Sequence, residues 1–254
     1  MQIQEEKLNR SDGPALAYRY TPGRPPCVMF LTGFHSDMTG AKAVYLEAHC
    51  VKVGQAFLRF DYRGHGASDG RFDDACISDW SVDALAMLDG AVGGPAVLVG
   101  SSMGGWIMLL AALARPGLVR GLVGIAAAPD FTNDLILPQL TPDGRAALDR
   151  DGVLTAPSAY GEPIRITRRL LEDGGSHLLL GGPITLTCPV HLLHGQQDPD
   201  VPWQTALRLA AALAGRAVTV ELIKDGGHQL SREDDLRRIA AAVDRVLEQV
   251  GGNG

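Results

Sequence analysis

The sequence predicts an α/β protein with a doubly wound, mostly parallel sheet that opens on antiparallel strands. Three observations carry that prediction. Short apolar runs alternate with longer amphipathic segments along most of the chain. The runs are apolar at successive positions rather than at every second one, which is the pattern of strands covered on both faces. The first two strand-like segments are parted by the turn signal Ser11-Asp12-Gly13-Pro14, and are therefore expected to pair antiparallel.

Taken in order, strands are expected over residues 3–8 and 15–20, after which the prolines between Pro22 and Pro26 break the pattern. The alternation then runs strand 27–31, helix 40–53, strand 55–60, a loop rich in Gly and Asp, helix 77–89, strand 96–99, helix 102–114 and strand 118–126. Arg115-Pro116-Gly117 stops the 102–114 helix, because proline cannot continue it. Between residues 130 and 187 the rhythm fails. Pro138, Pro142, Pro157, Pro163 and Pro183 fall there, short charged helices are expected at 143–149 and 166–171, and no parallel-sheet strand is evident. Strand 190–193, helix 203–213, strand 218–223 and a final helix 232–249 then resume the alternation, and the tail from Gly251 to Gly254 is expected to fray. Because the rhythm resumes, one domain of residues 1–254 with a lid inserted over 130–187 accounts for the chain better than two domains.

Composition narrows the function classes. Of 254 residues 46% are hydrophobic and 20% charged, enough apolar surface for a sizeable core. The net charge of -6 and the lack of any basic stripe argue against a nucleic-acid partner. Cys27, Cys50, Cys76 and Cys188 are scattered, the pattern of reduced thiols rather than a disulfide framework. No apolar stretch reaches 18 residues, so no membrane span is expected. The start, from Met1 to Glu6, is polar and acidic without a secretory h-region, and a cytoplasmic enzyme is expected.

The pattern G-x-S-x-G occurs twice, as Gly66-Ala67-Ser68-Asp69-Gly70 and as Gly100-Ser101-Ser102-Met103-Gly104. Context separates them. Ser102 lies between an apolar strand and a helix, where a tight turn lifts a side chain above the sheet edge and aims a helix N-terminus at developing negative charge. Ser68 sits in a polar loop among Asp69, Asp73 and Asp74, and is read as a turn residue.

A serine hydroxyl needs a base to take its proton. Of seven histidines, His228 follows the strand 218–223 through Lys224-Asp225-Gly226-Gly227, whose glycines let the loop turn back toward Ser102. The acid that orients it is expected in the loop after the preceding strand, from Asp198 or Asp200; Asp198 is preferred, because Asp200 sits nearer the helix that Pro202 begins. The oxyanion donors are expected to be the backbone N–H groups of Met103 and Phe34, the latter beside His35 after the first parallel strand. A metal site of His191, His194, Asp198 and Asp200 is the competing reading of the acid loop, but histidines three apart on a strand point to opposite faces. No cofactor or metal is expected.

At these residues the chain resembles the α/β-hydrolase superfamily, through the segment from Phe60 to Gly70, the Ser102 turn and His194-Gly195-x-x-Asp198-x-x-Val201-Pro202. Residues 59–70, 99–116 and 192–203 are similar to a mitochondrial branch that acts as S-depalmitoylase and acyl-glucuronide esterase, and to its bacterial relatives. The resemblance implies the α/β-hydrolase fold, a serine hydrolase for carboxylic esters or acyl-thioesters of small or acylated substrates, and the same roles for Ser102, Asp198 and His228. It departs at the missing targeting presequence, so mitochondrial placement is not carried over, and at residues 130–187, where acyl-chain preference would be set.

The expected chemistry is two-step acyl transfer with His228 neutral, so activity should rise through a pH of about 6.5 to 7. A peptidase or acyltransferase with the same triad is the alternative among enzymes, and a ligand-binding protein with silent chemistry the alternative outside them. Trp106, Met108 and Trp203 flank the site in sequence. Core packing is expected for Met108, and Trp106 is balanced between core and acyl pocket. Arg165, Arg168 and Arg169 are read as a solvated helix face, with pairing to a substrate carboxylate as the rival.

Overall fold

A computed structural model describes residues 5–156 and 163–251. Its elements in chain order are β1 (Glu6–Leu8), β2 (Leu16–Thr21), β3 (Arg24–Leu31), α1 (Ala41–Val53), β4 (Gln55–Phe60), α2 (Ile77–Ala86), β5 (Ala96–Ser101), α3 (Met103–Ala114) and β6 (Val119–Ile125). There follow α4 (Leu137–Gln139), α5 (Pro142–Asp151), β7 (Val153–Ala156), β8 (Ile164–Thr167), α6 (Arg168–Gly174), β9 (Val190–Gly195), α7 (Gln204–Ala212), β10 (Val218–Ile223) and α8 (Glu233–Gly251).

Eight strands form one sheet in the order β1-β2-β4-β3-β5-β6-β9-β10. β1 pairs antiparallel with β2, and β2 antiparallel with β4; every later neighbour is parallel. This is the expected α/β-hydrolase fold, with antiparallel strands leading a parallel sheet. β4, β5 and β9 are buried at every position, the polar Gln55, Arg59, His191 and His194 included, as strands covered on both faces are. One face carries α2 and α3 on a core that includes Trp80, Trp106, Ile107 and Leu98. The other carries α1 and α8, packed through Leu46, Cys50, Ile239 and Val243 against Val97 and Val123.

The strand order locates the site. The connection from β3 leads outward to β4, whereas that from β5 leads the opposite way to β6, and α1 and α3 cover opposite faces. A crevice opens between the carboxyl ends of two neighbouring strands wherever their crossovers diverge in this manner. The turn after β5, with Ser102, and the loop after β3, with Phe34, form its two walls.

Three elements differ from the sequence expectation, the first being β3, which starts at Arg24 and runs through Pro25 and Pro26 where a break was expected. The helix expected over 77–89 keeps α-geometry to Ala86, widens to a π-helical coil over Met87–Val92 and ends at Gly93 with φ 61°. The helix expected at 166–171 begins only at Arg168. Ile164, Ile166 and Thr167 instead form β8, antiparallel to β7, as β-branched residues favour. Thr167 then caps α6 by accepting the Leu170 N–H at 3.1 Å. Leu148, Ile166 and Leu171 give this inserted region a small core of its own. Pro157, residues 3 and 4 of the first expected strand, and residues 252–254 of the tail lie outside the described residues.

Candidate active site

Ser102 occupies the junction of β5 and α3 with φ 53°, ψ -120°, a left-handed backbone strained for any residue but glycine. The junction is closed by contacts that leave no room for larger residues. A Cβ on Gly104 would collide with the Leu31 and Thr32 carbonyl oxygens, and one on Gly100 with the Gly104 backbone. The strain turns the Ser102 hydroxyl out of the sheet and toward the loop after β10.

That loop brings His228 to Ser102. His228 Nε2 lies 3.1 Å from Ser102 Oγ, and His228 Nδ1 lies 2.8 Å from Asp198 Oδ2. Residues 102, 198 and 228, carried by β5, β9 and β10, thus meet at one rim of the sheet. The glycines before His228 serve this approach, since a Cβ on Gly195 would run into the Gly226 backbone.

The Asp198 side chain is enclosed, and three donors and the His194 ring converge on it. Its Oδ1 accepts the Asp200 and Val201 N–H groups, each at 2.9 Å, while its Oδ2 faces His228 and, at 3.2 Å, His194 Nε2. Burial opposes its charge, but the hydrogen bonds from His194 and His228 and the Val201 N–H outweigh it and hold the carboxyl well below the usual carboxylate range. Asp198 therefore stays ionised and can orient the imidazole and stabilise its cation without taking its proton.

The two residues expected to supply oxyanion donors lie on adjacent elements. Met103 opens α3, and Phe34 lies on the adjacent loop, where a Cβ on Gly33 would come 3.4 Å from Ser102 Cβ. Among the described residues neither the Phe34 nor the Met103 N–H donates to a protein acceptor outside regular elements. His35 is a hydrogen-bonded loop histidine: its Nε2 accepts the Arg165 N–H at 3.3 Å and its ring lies against Phe72.

The other candidates resolve into scaffold. Ser68 Oγ donates to the Asp61 carbonyl at 2.6 Å and accepts the Ala17 N–H at 2.8 Å, the bonding of a turn residue. Trp106 and Met108 are fully buried, and Trp106 donates through Nε1 to the His177 carbonyl at 3.1 Å. Trp203 is half-buried at the start of α7. The three arginines are not a solvated helix face. Arg165 pairs with Asp73 and Arg169 with Asp79, while Arg168 donates to the Leu148 and Asp149 carbonyls, so each ties the insertion to itself or to the core.

As a metal cage the acid loop is poorly matched. His191 faces Glu221 at 3.5 Å on the opposite side of β9 from His194, as strand alternation requires. Asp198, Asp200 and His228 do bring ligand atoms within 4.8 Å of one another. The oxygens of Asp198, however, already accept hydrogen bonds. Sequence reasoning treated His194 only as a possible metal ligand and missed its contact with Asp198. The signal was available, since His194 and Asp198 bracket a tight turn.

Comparison with known proteins follows this geometry. Residues 28–242 match the Alpha/beta hydrolase family. The chain is 40% identical over 247 residues to the Mus musculus palmitoyl-protein thioesterase ABHD10, mitochondrial, covering 96% of this chain and 82% of that protein. A putative hydrolase from Agrobacterium vitis S4 superposes with a TM-score of 0.93 at 41% identity, covering 97% of this chain and 99% of the other. The structure of alpha/beta hydrolase domain-containing protein 10 from mouse gives 0.90 at 39% identity, with the same coverage.

One expectation is overturned. The relatives from Mus musculus, Bos taurus, Pongo abelii, Homo sapiens and Rattus norvegicus that match along nearly the whole chain are mitochondrial proteins, so the cytoplasmic placement is withdrawn. Its physical basis was weak, because the lack of a secretory h-region over residues 1–6 argues against one address without selecting another. The parallel sheet, the turn at Ser102 and the match over residues 28–242 agree, and the chain belongs to the alpha/beta hydrolase family of enzymes.

Proposed function

We propose that this hydrolase cleaves acyl-thioesters or carboxylic esters through an acyl-enzyme on Ser102, with Asp198 and His228 completing the triad. One observation carries the reading: a single imidazole spans 3.1 Å to a serine oxygen and 2.8 Å to a buried carboxylate. Thioesters are favoured because relatives aligned over 96% of the chain bear the name palmitoyl-protein thioesterase.

His228 Nε2 removes the Ser102 proton as Oγ attacks the substrate carbonyl. The Phe34 and Met103 N–H groups take the oxyanion, helped by the N-terminus of α3. The tetrahedral species collapses, His228 gives its proton to the departing thiol or alcohol, and the acyl group remains on Oγ. Water, deprotonated by the same imidazole, then releases the carboxylic acid and restores Ser102. Asp198 holds His228 with its Nδ1 protonated and Nε2 free to accept. Residues 130–187 act in this reading as a lid on a single domain, fastened through Arg165, Arg169 and the acceptance by Asp173 of the Ser78 hydroxyl at 2.6 Å.

A fluorophosphonate probe tests the mechanism, and wild-type protein should label stoichiometrically at Ser102. A binding protein with silent chemistry would remain unlabelled, and that result would overturn the reading. A panel of acyl-thioesters and p-nitrophenyl esters of rising chain length then ranks the substrates.

A further inference from the structure

We propose that His194 is a positioning residue for the acid of the triad: it braces the Asp198–Val201 turn through one shared Nε2–H and so holds Asp198 Oδ2 in line with His228. The proposal rests on the triad reading above and deepens it.

His194 is fully buried at the end of β9, one residue from the turn that carries Asp198. Its Nε2 lies 3.0 Å from the Val201 carbonyl oxygen and 3.2 Å from Asp198 Oδ2. Both neighbours are acceptors, a carbonyl and an ionised carboxylate, so Nε2 must carry the proton. Nε2 therefore carries a proton, and Nδ1 is buried with no partner among the described residues. An apolar side chain of similar size could fill the same volume but could make neither Nε2 contact.

The contact has a mechanical consequence. The Asp198–Val201 turn is closed on its Oδ1 side by the Asp200 and Val201 N–H groups. Rotation about the carboxylate's terminal bond is intrinsically broad and carries both oxygens together, so a donor at Oδ2 resists the same rotation as the donors at Oδ1. His194 supplies the second constraint. It fixes the Val201 carbonyl and the Oδ2 edge from beneath, so the oxygen that meets His228 cannot drift as the imidazole gains and loses its proton.

The ionisable groups that meet here are Asp198, Asp200, His194 and His228. Those on adjoining elements face elsewhere: Glu221 toward His191 and Arg238, Asp225 toward Arg232, and Lys42 of α1 toward the Gln229 carbonyl.

Two measurements test this. In protein labelled with ¹⁵N-histidine, the His194 ring should show a protonated Nε2. The reverse tautomer would overturn the proposal without any substitution. In steady-state hydrolysis of an acyl-thioester, His194→Leu should lower kcat by about 10- to 100-fold, the range seen when a partner orienting a functional ligand is removed, with KM within about twofold. His194→Gln, which can place an amide N–H near the same spot, should recover most of that loss. A folded His194→Leu enzyme with wild-type kcat, or equal losses in the two variants, would refute the positioning role. Failure of the triad itself looks different, since wild-type protein would then escape fluorophosphonate labelling at Ser102.

Discussion

Gly66-Ala67-Ser68-Asp69-Gly70 and Gly100-Ser101-Ser102-Met103-Gly104 spell one pattern, and the fold treats them in contrasting ways. Ser68 has both sides of its hydroxyl engaged by backbone, donating to Asp61 and accepting from Ala17. Ser102 stands in left-handed backbone at a strand end and faces an imidazole. The glycines differ as well. Gly66 is needed for its φ of 46° and for the close approach of the Asp61 carboxylate, which also accepts the Met38 and Ala67 N–H groups. Gly104 is needed because helix and strand backbones touch there. One stretch closes a loop, while the other delivers a side chain to a crevice. The motif is a statement about backbone crowding, and chemistry arises only where the crowding sits at the rim of a parallel sheet.

The largest test of this contrast is Ser102→Ala. Hydrolysis should fall by about 10⁴- to 10⁶-fold while the melting temperature moves by no more than about 4 °C, measured by steady-state kinetics and calorimetry on one preparation. Near-normal turnover would dissolve the distinction between the two serines.

Gly104→Ala is next. The added methyl meets backbone that cannot rotate away, and urea denaturation should register a loss of about 3 kcal/mol. A variant as stable as wild type would mean that the close approach of α3 to β3 is not required.

His65, in the Ser68 loop, gives a pH-dependent arm. Burial pushes its imidazole down to about 4 from the ordinary 6.5. The unfolded chain takes up this proton as pH falls through 6.5, whereas the folded chain waits until about 4, so stability drops with falling pH across that window and levels off beneath it. His65→Phe should therefore lose about 2 kcal/mol less than wild type between pH 7 and 5 in urea titrations. Parallel curves for the two proteins would contradict a neutral, buried His65.

Ser68→Ala should leave kcat/KM unchanged and cost about 1 kcal/mol, through the partner lost by the Ala17 N–H. Arg165→Ala sits at the small end: its pair with Asp73 is partly exposed, and about 0–1 kcal/mol is expected, visible only in a double-mutant cycle with Asp73→Ala.

Much of the site could be read before the structure. Strand 55–60 and strand 218–223 fall on the expected residues, and the Ser102, Asp198 and His228 loops follow the strands that the apolar runs marked. The insertion was less legible. The alternation of Ile164, Ile166 and Thr167 is too short to separate from a helix by periodicity, and its strand character depends on β7 as a partner. The arginines misled for a related reason: their charge is visible in sequence, whereas Asp73 and Asp79, which answer it, lie about ninety residues away.

Local physics determined the strands of the main sheet, most of the helices and the tight turn at Ser102, because periodicity, proline, glycine and strand ends act over a few residues. Tertiary structure decided the rest. It determined which of two serines in the same pattern faces an imidazole, which of two aspartates meets His228, and that His194 Nε2 lies beside Asp198 and the Val201 carbonyl. Those outcomes depend on distances between groups carried by different strands, and only the register and order of the sheet fix such distances.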